Sequence, residues 1–270
     1  MTSIDSSTGA YVSVDGLVVS LDGGVLSLTL NRPDSLNSLT ATMLNGIADA
    51  LDQAATDNRV KVVRLAGAGR GFSSGAGISA DDQSKKAGGL TVLDAANRAV
   101  RSIVALPRPV VSVVQGPAAG VGASLALACD VVLASENGYF MLAFTKIGLM
   151  PDGGASALVA AAIGRIRAMR MALLAERLPA AEALAAGLIS AVYPAEDFDA
   201  EVDKVISTLL GGPVVAYAKT KDSINAATLT ELDAALHREF RGQSILLRSA
   251  DLREGATAFQ QRHTPNFTDR

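Results

Sequence analysis

Tryptophan is absent from this 270-residue sequence, and aromatic residues make up only 4% of it. With abundant alanine and 25 glycines, this composition favours close helix and backbone packing over bulky aromatic layers. There is one cysteine, Cys129, in the run Leu125-Ala126-Leu127-Ala128-Cys129. It excludes an intrachain disulfide and reads as a small buried core residue with no redox or metal role. The two histidines, His237 and His263, lie in polar C-terminal segments, and no Cys/His cluster has metal-ligand spacing. A positive charge excess is also lacking. A net charge of −3 gives nucleic acid and anionic membranes no reason to bind, although a few local Arg and Lys residues can still meet a polyanionic ligand. No apolar run reaches the roughly 18 residues of a membrane helix; the longest, 117–129, stops at Asp130. Met1 to Gly9 is polar, with no basic start leading into an apolar run, so no signal peptide is expected. The expectation is a cytoplasmic protein.

Hydrophobic residues at 49% and charged residues at 19% mark an ordinary globular chain, long enough for one large domain or two unequal ones. Residues 1–10 read as a disordered tail. Runs at 17–21 and 25–30, separated by Asp22-Gly23-Gly24, read as a β-hairpin. Thr40 can cap a helix with Met43, Leu44, Ile47, Leu51 and Ala54 on one face. Residues 60–66, 110–114 and 131–134 read as buried strands. The pattern predicts helices over 91–105, from the 116–122 turn to Ala128, and over 155–163, 165–175 and 180–186, the last closed by Gly187. Residues 81–89 are polar. After Pro194 only helices are expected, over 198–210, 214–227, 230–248 and 250–261, with a linker at Gly211-Gly212-Pro213. Alternating strands and helices point to an α/β fold with largely parallel strands.

Two glycine-rich turns, 67–77 and 116–122, each follow a strand. Glycine allows positive φ and leaves peptide N–H groups free to point at a ligand. Two such groups converging on one oxygen make an oxyanion hole, although tight packing at strand ends is the plainer reading of glycine alone. Neither turn fits a dinucleotide or Walker fingerprint.

The wording of these segments is more specific. Asn31-Arg32-Pro33-Asp34-Ser35-Leu36-Asn37-Ser38-Leu39, the turn Gly71-Phe72-Ser73-Ser74-Gly75-Ala76-Gly77, the stretch from Gln115 to Asp130, the segment Phe144 to Gly154 and the ending Phe259 to Phe267 resemble, in order, motifs of the enoyl-CoA hydratase/isomerase (crotonase) superfamily. The resemblance runs over about residues 15–267. It implies a ClpP-like spiral of repeated ββα units, with an acyl-CoA core over 11–212 and a helical oligomerisation region over 213–270 that forms a homotrimer or hexamer. It further implies that a thioester carbonyl is held by the N–H groups of Ala76 and Val121. Coenzyme A, as part of the substrate and with no separate cofactor or metal, would contact Arg32, Leu36, Asn37, Ser74, Gly75 and Arg262 of a neighbouring subunit. The plainer reading of Arg32 and Arg262 is solvated surface charge.

The two glutamates of the hydratases fall at Ser124 and Phe144, neither of which can act as the acid–base pair that adds water. One acid remains nearby, Asp152 in Met150-Pro151-Asp152-Gly153-Gly154. The segment from Lys146 to Asp152 resembles isomerase-type members such as ring-1,2-epoxyphenylacetyl-CoA isomerase. Asp152 is thus expected to be an acid/base that isomerises an unsaturated acyl-CoA, the plainer reading being a cap on the following helix. The alternatives are an enoyl-CoA hydratase (a lyase of fatty-acid metabolism) and a non-catalytic acyl-CoA binder. Asp130 reads as a structural cap or strand-start residue, and Glu136 and Asp81 as loop charges.

Overall fold

A computed structural model describes residues 9–77 and 89–268. Most of the expected tail (1–10), the polar segment 81–89 apart from its last residue, and Asp81 lie outside the described residues.

The chain opens with an antiparallel hairpin of β1 (Leu17–Asp22) and β2 (Val25–Leu30). Gly23 and Gly24 both have positive φ, as a two-residue turn matching the strand twist requires. Thr40 then caps α1 (Ala41–Ala54) by accepting from the Met43 N–H at 3.2 Å. Strands β3 (Val62–Gly67), β4 (Val110–Val114), β6 (Val131–Ser135) and β9 (Ala191–Tyr193) add to the hairpin in parallel, giving the sheet order β1-β2-β3-β4-β6-β9. Helix α2 (Gly89–Ala105) packs on α1. Short strands β5 (Pro117–Ala119), β7 (Tyr139–Met141) and β8 (Leu178–Pro179) form a second sheet beside the first. Two β-β-α units therefore share one construction: β4-β5 leads into α3 (Val121–Leu127), and β6-β7 into α4 (Ala155–Leu174). In each, the first strand joins the large sheet and the second the small one, the repetition that the resemblance implies.

The alternation of side chains explains why the large sheet is covered on both faces. Val63, Leu65, Val110, Val114, Val132 and Ala134 point into the main core with α1, α2, α3 and α4. Their neighbours Val62, Ala66, Val111, Val113 and Leu133 point the other way, onto Phe198, Val202 and Ile206 of α6 (Phe198–Leu210). Strand β4 is buried throughout, as its valines demand, and its one polar residue, Ser112, donates its hydroxyl to Ala126 O. The two helices expected over 155–163 and 165–175 form one run interrupted at Gly164, whose φ of 76° and ψ of 163° are not helical. Helix α5 (Ala180–Ala186) ends at Gly187, which adopts the left-handed conformation.

Beyond the 211–213 linker come α7 (Val214–Thr228), α8 (Leu232–Leu246) and α9 (Ala250–Gln261). The apolar residues of this region divide. Leu232 and Leu236 belong to the chain's own main core, so they are not available as interface residues, whereas Ile245 is 73% exposed. Helix α7 has no fully buried residue and is pinned by polar contacts instead. Lys221 Nζ lies 2.8 Å from Asp130 Oδ2 and donates to the Ile103 and Arg108 carbonyls, while Asn225 donates to Val104 O. Asp130 also accepts the Val110 N–H at 2.7 Å, which fastens the start of β4 and bears out its structural reading. Glu136 is a loop charge whose carboxyl accepts the Ala195 N–H. Cys129 is free and buried, and burial pushes its thiol well above the ordinary range. Among the described residues, no helix is long and apolar enough to cross a membrane.

The Lys221–Asp130 pair is enclosed enough for its loss to be felt, with the side chains 8% and 21% exposed. Lys221→Met removes one partner and leaves a shielded carboxylate, so the variant should lose about 3 kcal/mol of unfolding free energy. Urea denaturation at pH 7 measures this. A loss below about 1 kcal/mol, the range of exposed pairs, would mean that the site is effectively solvated.

Candidate active site

The site begins with two glycine turns forced against each other. Phe72 and Ser73 N–H groups both donate to Pro117 O, and Ala119 N–H donates back to Ser73 O at 2.9 Å. At this seam Gly75 and Gly120, both with positive φ, touch through their backbones. A Cβ on Gly75 would lie 2.8 Å from Ala119 O and 3.4 Å from Gly120 Cα. Gly120, with φ 53° and ψ −134°, occupies a region open essentially to glycine alone. The next residue in each turn is Ala76 or Val121. Among the described residues neither of their N–H groups donates to a protein acceptor.

The first turn is braced from below. Asn37 is fully buried in the left-handed region, its Nδ2 donating to Ala68 O and Gly71 O and its Oδ1 accepting from Arg32 N–H, each at 2.9 Å. Gln115 Nε2 adds donations to the Gly67, Gly69 and Gly71 carbonyls. Ser73 Oγ donates to Asn37 O and accepts the Gly75 N–H. Ser74 N–H donates to Leu36 O and its hydroxyl to Ser35 O, so the 32–39 and 71–77 segments are laced together.

A third segment, 150–154, closes over the first turn of α3. A Cβ on Gly153 would sit 3.0 Å from Ser124 Cβ and 3.3 Å from Val121 Cγ2. Ser124 Oγ donates to the backbone carbonyl of Asp152 at 2.7 Å. The buried ring of Phe144 reaches the Gly120 position. The Asp152 carboxyl accepts from Gln243 Nε2 at 2.8 Å. It keeps a partly exposed edge, yet protein surrounds it closely enough that desolvation dominates. Burial raises its pKa from 3.8 to about 7, the Gln243 hydrogen bond opposes this, and the charge of Glu239 adds to it.

Asp152 does not cap α4. The N-terminal groups of that helix are taken by Glu239 of α8, whose carboxyl accepts the Gly154 and Ser156 N–H groups at 2.7 and 2.9 Å and the Ser156 hydroxyl. Burial raises the Glu239 pKa, and these hydrogen bonds pull it back.

The fold thus brings Leu36, Asn37, Ser74, Gly75, Ala76, Val121, Ser124, Phe144 and Asp152 into one region. The Asn37 side chain is committed inside the protein, so any effect on a ligand runs through the loop it braces. Arg32 donates to Ser38, carbonyl and hydroxyl, and remains half-buried beside this segment. Arg262 ends α9 in the left-handed region, and no described hydrogen bond or ion pair joins it to residues 32–37 of the same chain. Glu239 and Gln243 were not anticipated. Their signal was present, since 232, 236, 239 and 243 follow at helical spacing and put two polar residues on the stripe that Leu232 and Leu236 bury.

Chemically, two available N–H donors beside an apolar wall can hold a developing oxyanion, and a carboxyl that titrates near neutrality can take and return a proton. Among the described residues no group of three His, Cys, Asp or Glu could hold a metal ion. A cavity of about 460 Å³ lies elsewhere, between α7 and the core, where Lys221 is already satisfied by its partners.

Comparison with known proteins agrees with this geometry. The sequence model of the family described as Enoyl-CoA hydratase/isomerase matches residues 20–270. The chain is 38% identical over 253 residues to 1,2-epoxyphenylacetyl-CoA isomerase of Escherichia coli K12, covering 92% of this chain and 96% of that protein. It is 32% identical to 2,3-dehydroadipyl-CoA hydratase of the same organism, covering 94% of this chain and 99% of that one. A crystal structure of an enoyl-CoA hydratase from Mycobacterium avium subsp. paratuberculosis superposes with a TM-score of 0.88 at 72% identity, covering 94% and 99% of the two chains.

The Asp152 shift has a stability consequence of definite sign. The folded state holds the proton more tightly than the unfolded chain, so stability falls as pH rises from 3.8 towards and through about 7. Asp152→Asn keeps an oxygen for Gln243 and removes the buried charge. The variant should melt at a higher temperature than wild type at pH 8, with the gap closing towards pH 4. Equal melting temperatures by calorimetry at pH 8 would contradict the shift.

Proposed function

The chain belongs to the enoyl-CoA hydratase/isomerase family, and from that premise we propose that it isomerises an unsaturated acyl-CoA with Asp152 as the acid/base. One observation carries the reading: Asp152 stands in the segment that covers the first turn of α3, where Gly153 packs on Ser124 and Val121 and the Ser124 hydroxyl donates to the Asp152 carbonyl. In this mechanism those two groups bind the thioester oxygen. Asp152 removes a proton from the α or γ carbon, and the electron pair moves onto that oxygen as an enolate. The same carboxyl then returns a proton to the other carbon while the double bond shifts and the carbonyl reforms. Neither step needs a second carboxyl. A pKa of about 7 makes Asp152 a stronger base than an ordinary aspartate while leaving it substantially ionised at neutral pH. The coenzyme A moiety runs along the 32–37 segment and the first glycine turn, touching Arg32, Leu36, Ser74 and Gly75, with Arg262 supplied by a neighbouring subunit of a trimer or hexamer. Exposed Ile166, Met169 and Leu173 on the second half of α4 support such an assembly, being spaced along one helix face.

A second reading, hydration, is favoured by the name of the 72%-identical mycobacterial protein. Against it, the Ser124 hydroxyl is engaged by a backbone carbonyl and Phe144 offers no proton. Two assays separate these readings. With an unsaturated acyl-CoA in heavy water, deuterium incorporation at the α or γ carbon should fall by about 10²–10⁴ in Asp152→Asn while calorimetric affinity for acyl-CoA persists. Exchange in the variant at the wild-type rate would remove Asp152 from the mechanism, and no exchange by the wild type would favour a non-catalytic binder. With crotonyl-CoA, wild-type hydration should be slow, and a rate near that of an efficient hydratase would favour the second reading.

A further inference from the structure

We propose that Gln243 is a positioning residue for Asp152, holding its carboxyl in one orientation from the buried face of α8. The inference rests on the role proposed above for Asp152 and adds a residue from the C-terminal helices. Three hydrogen bonds define it. Gln243 Nε2 donates to Asp152 Oδ2 at 2.8 Å and to Met150 O at 2.9 Å, and Oε1 accepts the Met150 N–H at 3.2 Å. Both amide hydrogens and the amide oxygen are thereby used. A flipped amide would set its oxygen against a carboxylate and a carbonyl, so the orientation is determined. The side chain is 1% exposed and has little room to rotate.

The helix that presents Gln243 is itself fixed. Leu232 and Leu236 anchor α8 in the main core, and Glu239, one turn before Gln243, grips the start of α4 through Gly154 and Ser156. Met150 packs its thioether on Gly242 of the same helix, where a Cβ would lie 2.4 Å from Met150 Sδ. Segment 150–156 is thus held by α8 at both ends, with Asp152 between them. Other groups near the carboxyl leave Gln243 this task. Ser124 of α3 reaches the carbonyl of Asp152 and not its carboxyl, and Glu239 acts on it as a like charge. A neutral amide suits the position. It favours the carboxylate enough to keep a base available, whereas a Lys or Arg would drive the pKa down and weaken that base.

The test uses full-length Gln243→Leu and Gln243→Glu beside Asp152→Asn, with kcat and kcat/KM for isomerisation of an unsaturated acyl-CoA followed from pH 5 to 9. Gln243→Leu should lower kcat by about 10–100-fold, with KM changed less than about threefold. Removing the donor should also move the acid limb of the pH profile upward. Gln243→Glu keeps an acceptor for Met150 N–H but brings a second acid, and its limb should move further in the same direction. This variant decides the matter if the leucine variant does not fold. Wild-type kcat and an unmoved limb in a folded variant would overturn the proposal. A lower kcat with an unmoved limb would also overturn it, because a mere strut would behave that way. If Asp152→Asn itself stays active, the role of Asp152 fails. If that variant is inactive while both Gln243 variants match wild type, only the positioning role fails.

Discussion

The close approach of Gly75 to the Ala119–Gly120 backbone is the constraint on which the rest of the site depends. Two peptide N–H groups can face one oxygen only if their chains approach more closely than any side chain allows. The first turn must therefore be both free of side chains and rigid. Rigidity comes from buried amides: Asn37 and Gln115 clamp the carbonyls of residues 67–71, and Ser73 ties the turn to Asn37. Leu36, a residue poorly suited to the left-handed region, is held there with φ 53° in the segment laced to this turn. The parallel strand ends of β3 and β4 deliver the turns to the same edge of the sheet, so the fold and the site meet at one place.

Against this seam the 150–156 segment is set by a buried polar pair on an otherwise apolar stripe. Glu239 and Gln243 desolvate at a cost that only full hydrogen bonding offsets, and each has its partners. The arrangement leaves Asp152 between opposing influences. Burial and a neighbouring acid raise its pKa, and one amide donor lowers it, so the carboxyl titrates near neutrality. The C-terminal helices thus shape the candidate site as well as the packing. Leu232 and Leu236, buried in the main core, are the anchors that bring α8 to the site.

Much of this was legible in the sequence. Thr40, Gly23-Gly24, Gly164 and Gly187 act through local backbone geometry, and local geometry is a property of neighbouring residues. The valine-rich segments at 110–114 and 131–134 announce strands buried on both faces, and the ordered motifs from Asn31 to Asp152 mark the family and the candidate site together. The second small sheet was not legible, because β5, β7 and β8 have two or three residues each and no periodicity to read. Nor did the sequence show what occupies Ser124, whose hydroxyl partner is a carbonyl 28 residues away.

The sequence by itself determined which residues can form turns, strands and caps, and which acid stands in the candidate site segment. Tertiary structure alone decided that Asp152 is not a helix cap, that burial pushes its carboxyl up to about 7, and that Gln243 donates to it while Glu239 takes the start of the helix that follows. The physical reason is range. Propensity and glycine geometry act over a few residues, whereas desolvation and the bonds from α8 join groups 83 to 93 positions apart, and these exist only once the chain has folded.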